Sequence, residues 1–128
     1  MYPKFNYRNA RPTPWGKADF VKELAPGVVL VGTPSHGGIM IGKQRVKEIL
    51  SPAGIACGRT WNQYVCYEED CQREVIIFEH PEYWHDYQKT WNRPEDVQSI
   101  EALKESARKS IKHWNPEYFA KEVIPCAL

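Results

Sequence analysis

Hydrophobic and polar positions along the chain fall into short blocks of changing period. Val28-Val29-Leu30-Val31-Gly32-Thr33 is a β-branched run closed by Pro34, and a second apolar run, Ile39-Met40-Ile41, follows Ser35-His36-Gly37-Gly38. Two such runs joined by a short glycine-bearing loop predict a β-hairpin over about residues 28–41. Upstream, Phe20, Val21 and Leu24 share one helical face, so residues 18–25 are expected to form a short helix stopped by Pro26-Gly27. Residues 43–50 read as a turn or short helix, and residues 51–54 as a loop. The stretch from Tyr64 to Pro81 is ambiguous. Val75 to Phe78 would suit a strand, but Cys71, Val75 and Phe78 also recur at helical spacing, and Glu68, Glu69 and Asp70 stand where a helix macrodipole favours anions. A helix closed by Pro81 is the expectation.

Residues 82–91 read as a further helix or an aromatic loop. Pro94-Glu95-Asp96 then opens the longest helix, with Val97, Ile100, Leu103, Ala107, Ile111 and Trp114 on one stripe. Asn115-Pro116-Glu117 restarts a last short helix through Val123. The sum predicts an α+β fold: a small antiparallel sheet, the hairpin at about residues 28–41, packed against three to four helices.

Composition narrows the classes. With 128 residues, 42% hydrophobic and five Trp, the chain is one compact domain too aromatic to be disordered. A mean hydropathy of -0.59, with no apolar run near the ~20 residues a bilayer requires, excludes a spanning helix. The basic, aromatic start does not read as an export signal, and Cys126 is third from last, one place off a prenylation box. Cys57, Cys66, Cys71 and Cys126 are therefore expected as free thiols of a cytoplasmic protein with no membrane partner. Residues 1–14 read as an extended basic, aromatic arm ahead of a single domain over 15–128, because Pro3, Pro12 and Pro14 oppose helix formation. Lys4, Arg8 and Arg11 in that arm could follow a nucleic-acid backbone; more simply, the arm wraps its own domain. Charge is uneven as well. Residues 1–65 carry nine Lys or Arg against Asp19, Glu23 and Glu48, a net of +6, and residues 66–128 carry a net of -5.

Thr33-Pro34-Ser35-His36-Gly37-Gly38 is the most informative stretch for chemistry. Adjacent glycines at a hairpin end allow positive φ and leave amides open to a ligand oxygen, and His36 beside them can exchange a proton near neutral pH. His36 with Glu69 or Asp70 would make an acid-base pair; equally, the glycines serve only the turn and the acids only a solvated helix start. Zinc would require Cys66, Cys71, His36 and His80 or His85 to converge, but the four-residue gap between the cysteines is unusual for such sites, and no metal or other cofactor is expected. A cysteine nucleophile, Cys66 or Cys71 at a helix N-terminus with a lowered pKa, is a further possibility. Phosphate-loop, dinucleotide-binding and zincin signatures are absent from the sequence.

The strings Pro14-Trp15-Gly16, Thr33-Pro34-Ser35-His36-Gly37-Gly38 and Tyr67-Glu68-Glu69-Asp70-Cys71 resemble the marks of an uncharacterised family of small bacterial, plasmid and phage domains. The resemblance spans roughly residues 14–118 and carries no established activity. It implies a site at His36, Gly37, Gly38, Glu68, Glu69, Asp70 and Cys71, to which Thr33 and Ser35 of the same loop are added. Two readings follow. One is a phage or mobile-element binding protein that engages a host protein or sequesters a small anionic signalling ligand, interfering with bacterial defence; the other is a hydrolase or transferase built on His36. Both require the His36 loop and the acid-rich segment to lie together and form one pocket.

Overall fold

The computed structural model describes residues 12–123 of the chain, with side chains through Ala120. The arm's Lys4, Arg8 and Arg11, and Cys126, lie outside the described residues. The fold is α+β, as the sequence implies. A small hairpin pairs β1 (Pro12–Thr13) with β2 (Gly16–Lys17). Thr13 Oγ1 donates to Gly16 O at 2.6 Å and accepts from Trp15 N, so the proposed boundary between arm and domain falls at the tip of this turn.

The main sheet comprises β3 (Phe20–Ala25), β4 (Val28–Gly32), β5 (Gly37–Gly42), β6 (Arg59–Trp61) and β7 (Tyr64–Glu68), antiparallel throughout in the order β3-β4-β5-β7-β6. The central hairpin is the expected one, with Val28 opposite Ile41 and Gly32 opposite Gly37. Residues 18–25, expected as a helix, contain β3 instead. Eight residues make a marginal helix, whereas pairing Phe20 with Gly32 and Val21 with Val31 extends a sheet already nucleated by β4 and β5. Gly27, at φ 76°, makes the tight turn; the same left-handed glycine would have ended a helix, which is why the local pattern misleads.

The first half of the ambiguous 64–81 stretch is also a strand. Along β7, Val65 and Tyr67 join the core beneath the helices, while Tyr64 and Cys66 face the other side of the sheet. Both faces are buried, and strands buried on both faces lose the period-two signature. The expected helix survives only as α3 (Arg73–Glu79).

Six α-helices are described, two of them between β5 and β6: α1 (Lys43–Ile49) and α2 (Pro52–Cys57), the latter in place of the expected loop. Ser51 caps α2 by accepting from Gly54 N. After α3 come α4 (Pro81–Lys89), α5 (Ile100–Trp114) and α6 (Glu117–Val123). Pro94–Asp96 is only a 3-10 turn, and α5 begins at Ile100 behind its own cap, Ser99. Leu103, Ala107 and Ile111 are buried as the stripe predicts, but Trp114 is 55% exposed, because α5 ends there and projects past the core.

Two layers of core result. Val28, Leu30, Ile39, Ile41, Val65 and Tyr67 pack against Val46, Leu50, Val75, Ile76 and Ile111 from the helices. On the opposite face, Val29, Val31, Met40 and Cys66 lie with Ala18, Trp15, Val21 and Trp61. No helix among the described residues is long and apolar enough to cross a membrane.

Candidate functional site

Three loops meet at one end of the sheet: the β1–β2 turn with Trp15, the β4–β5 loop with His36, and the β7–α3 turn with Glu69 and Asp70. Sheet order is the cause. β5 lies between β4 and β7, so Gly38 pairs with both Val31 and Glu68, and Glu69 N donates to Gly37 O at 2.9 Å. The His36 loop and the acid-rich segment are thus neighbours through their backbones. Trp15 binds the third loop in: its indole Nε1 donates to Glu68 Oε1 at 3.1 Å, and its carbonyl lies 3.2 Å from Thr33 Oγ1.

The β4–β5 loop is locked internally. Thr33 N and Oγ1 both donate to His36 O, at 2.8 and 2.6 Å, and Thr33 Oγ1 accepts from His36 N. Thr33 is therefore structural, while Pro34, Ser35 and His36 are exposed at the tip. Gly37 and Gly38 are buried, and neither has positive φ. The reason for both glycines differs from the one expected. A Cβ on Gly37 would stand 2.5 Å from Val31 O, and one on Gly38 would strike the Tyr67 carbonyl and come 2.7 Å from the Trp15 ring. Strands and an indole crowd both positions, and this crowding is reason enough for their small size.

The acids divide by role. Glu68 holds Trp15 through Oε1, and Oε2 lies 3.8 Å from Cys71 Sγ. Glu69 reaches toward Arg73 at 3.8 Å, whose guanidinium in turn lies over the Trp84 ring at 4.7 Å. Asp70 is exposed in a left-handed conformation, φ 75°, which turns the chain from β7 toward α3. Among the described residues the His36 ring makes no hydrogen bond or ion pair with any of the three. A small cavity of about 120 Å³ does open here, but its walls are Pro14, Trp15, Arg59, Cys66, Glu68, Cys71 and Gln72, with His36, Glu69 and Asp70 outside them.

The thiols in that cavity are not the activated nucleophiles considered above. Burial pushes the Cys66 thiol up to about 12, against a small opposing pull from Arg59. Cys71 is also raised, by burial first and then by the Glu68 carboxylate, and these outweigh the lowering from a backbone hydrogen bond of Gln72; its sulfur also lies near the acceptors Glu68 Oε2, Glu69 O and Gln72 Oε1. It lies in a turn before α3, next to a carboxylate, which outweighs any pull from a seven-residue helix. At pH 7.5 iodoacetamide is expected to alkylate Cys71 at least several-fold more slowly than an ordinary thiol and to leave Cys66 unmodified until the protein is denatured; peptide mapping by mass spectrometry reads both.

Two of the histidines considered for zinc, His80 and His85, have other partners. His80 contacts Ile49 O at 2.6 Å and Glu82 at 3.1 Å, and His85 contacts Gln98 O at 2.8 Å. Among the described residues no three of the His, Cys, Asp and Glu side chains are grouped to hold a metal ion. Sequence reasoning missed Trp15, Gln72 and Arg59 as members of this end of the molecule. Trp15 did carry a signal, since Pro14-Trp15-Gly16 is one of the three distinctive strings, but what joins it to the other two is strand pairing that periodicity does not display.

No curated protein and no solved structure matches the chain. A family model does: residues 8–125, nearly the whole chain and all three strings among them, match the domain of unknown function DUF7007, and the chain belongs to that family.

Proposed function

We propose that this domain is a small binding protein of a phage or other mobile element, acting in the cytoplasm of its bacterial host by engaging a host protein of a defence system. One observation carries the reading. The exposed tip Pro34-Ser35-His36 rides on a loop fixed by Thr33, by the neighbouring strands and by Trp15, yet among the described residues its own side chains make no hydrogen bond or ion pair. A rigid loop with uncommitted exposed groups loses little entropy on docking. Asp70, exposed on the neighbouring turn, favours a basic patch on the partner. A small anionic ligand is the weaker alternative, since the glycine amides are buried beneath Trp15 and within the sheet. The enzyme reading has less support, because Glu69 lies toward Arg73 and exposed Asp70 makes no hydrogen bond or ion pair with the His36 ring among the described residues.

The test is phage plating on a defence-proficient host that expresses the protein. Plating efficiency should rise with the wild type and fall at least tenfold with His36→Ala combined with Asp70→Lys, while the melting temperature of the purified variant stays within about 2 °C of wild type. A folded variant as active as wild type would reject the His36 tip as the contact surface, and absence of any effect by the wild type across a panel of defence systems would reject the anti-defence role itself.

A further inference from the structure

The segment between α4 and α5 is held by a part-buried polar clamp. Gln88 is 6% exposed; its Nε2 donates to Gln98 Oε1 at 2.9 Å and its Oε1 accepts from Gln98 N at 3.0 Å. His85 Nδ1 meets Gln98 O at 2.8 Å, and Asn92 N donates to Gln88 O at 2.8 Å. Such polar pairs add little stability over apolar packing but select one geometry. Here that geometry leaves a half-open groove. A cavity of about 560 Å³ lies between α4 and the loop, walled by His85, Lys89, Asn92, Pro94, Val97 and Ser99 and predominantly apolar. Its volume falls in the range of small-molecule sites.

The polar groups on the wall include one cation and no anion among the described residues. Lys89 is a cation, and Ser99, whose Oγ accepts from Ala102 N, retains its own hydrogen to donate; Asn92 offers both an amide donor, 3.5 Å from Asp96 O, and an acceptor, and His85 Nδ1 is engaged with Gln98 O. Among the described residues no carboxylate lines the cavity. The nearest acids are committed or remote: Glu95 and Asp96 are drawn to Arg93 at 3.9 and 2.7 Å, and Asp86 meets Lys89 only at 3.7 Å with both side chains more than half exposed, a pair that yields readily to a better-placed anion. We infer that this cavity binds a small amphiphile with an apolar body and a carboxylate head, the body against Pro94 and Val97 and the head at Lys89. None of its walls belongs to the three loops of the His36 end, so this site stands or falls independently of the function proposed above.

Octanoate, octan-1-ol and octylamine share one chain length and differ in head group. Each is titrated into the full chain and followed by amide chemical shifts. Octanoate should saturate, with its shifts concentrated on residues 85–99, and bind at least fivefold more tightly than octylamine. Lys89→Glu, a change at an exposed position, should weaken octanoate at least fivefold and leave octan-1-ol unchanged. Failure of octanoate to saturate, shifts centred elsewhere, octylamine binding as tightly as octanoate, or full octanoate affinity in Lys89→Glu would each overturn the assignment.

Discussion

Gly38→Ala is expected to destabilise the protein by about 3 kcal/mol or more, a loss on the scale of overpacking within a closed core. The methyl group has no direction in which to yield. It would meet the Tyr67 carbonyl and lie 3.0 Å from Glu68 Cα, both backbone atoms of β7, and it would come within 2.7 Å of the Trp15 ring. A side chain can change rotamer; the strand beside β5 can retreat only by breaking the pairing of Gly38 with Glu68 and Ile39 with Tyr67. Against a typical total of 5 to 15 kcal/mol, that loss should lower the melting temperature by on the order of 10 °C. The variant should also unseat Trp15 from Glu68, visible as a displaced indole N–H resonance. Gly32→Ala is the control. Its Cβ would stand 3.5 Å from Phe20 Cβ, an ordinary contact, and its effect should stay within about 1 kcal/mol. Equal melting temperatures for the two variants would show that the crowding around Gly38 does not exist in solution.

The same residue shows where sequence reasoning stopped. The double glycine was visible as a special position, and His36 beside it as an exposed loop residue, but two reasons for a glycine look identical in one dimension. Positive φ is a property of the residue's own backbone, whereas the crowding of Gly38 is a property of partners 23 to 30 positions away, Trp15 and Tyr67 among them. Elements with a private signature were legible: the 28–41 hairpin from β-branched runs around a turn, and α5 from Leu103, Ala107 and Ile111 at helical spacing. Those that depend on neighbours were not. β3 pairs only because β4 offers an edge, and β7 is apolar on both faces because the sheet is covered on both sides, so neither alternates. The adjacency of the His36 loop and the acids could be expected from the motifs but not explained by them; it rests on β5 lying between β4 and β7. The acid-base pairing of His36 with Glu69 or Asp70 required side-chain directions, and no spacing rule supplies those.

Glu79 is the clearest residue that no pattern announces, and Glu79→Ala is expected to cost about 3 kcal/mol, since it would strip an ionised acceptor from three donors at once. Its Oε1 accepts from Ser51 N at 2.8 Å, and its Oε2 accepts from Ser51 Oγ at 2.6 Å and from Tyr118 Oη at 2.7 Å. One carboxylate at the end of α3 therefore holds the cap of α2 and the first turn of α6. The packing is close as well: a Cβ on Gly54, in α2, would stand 2.6 Å from Glu79 Oε2. Glu79→Gln should be milder, about 1 kcal/mol, because its carbonyl still accepts from Ser51 N and its amide can donate to the two hydroxyls, which turn from donors to acceptors. Tyr118→Phe removes one donor and should likewise cost about 1 kcal/mol. If the three groups act as a unit, the losses in Glu79→Ala and Tyr118→Phe will not add, and a double-mutant cycle by urea unfolding should return a coupling of at least 0.5 kcal/mol. Strict additivity, or an alanine variant within 1 kcal/mol of wild type, would mean that solvent replaces this carboxylate freely and that α2, α3 and α6 are joined by apolar contact alone.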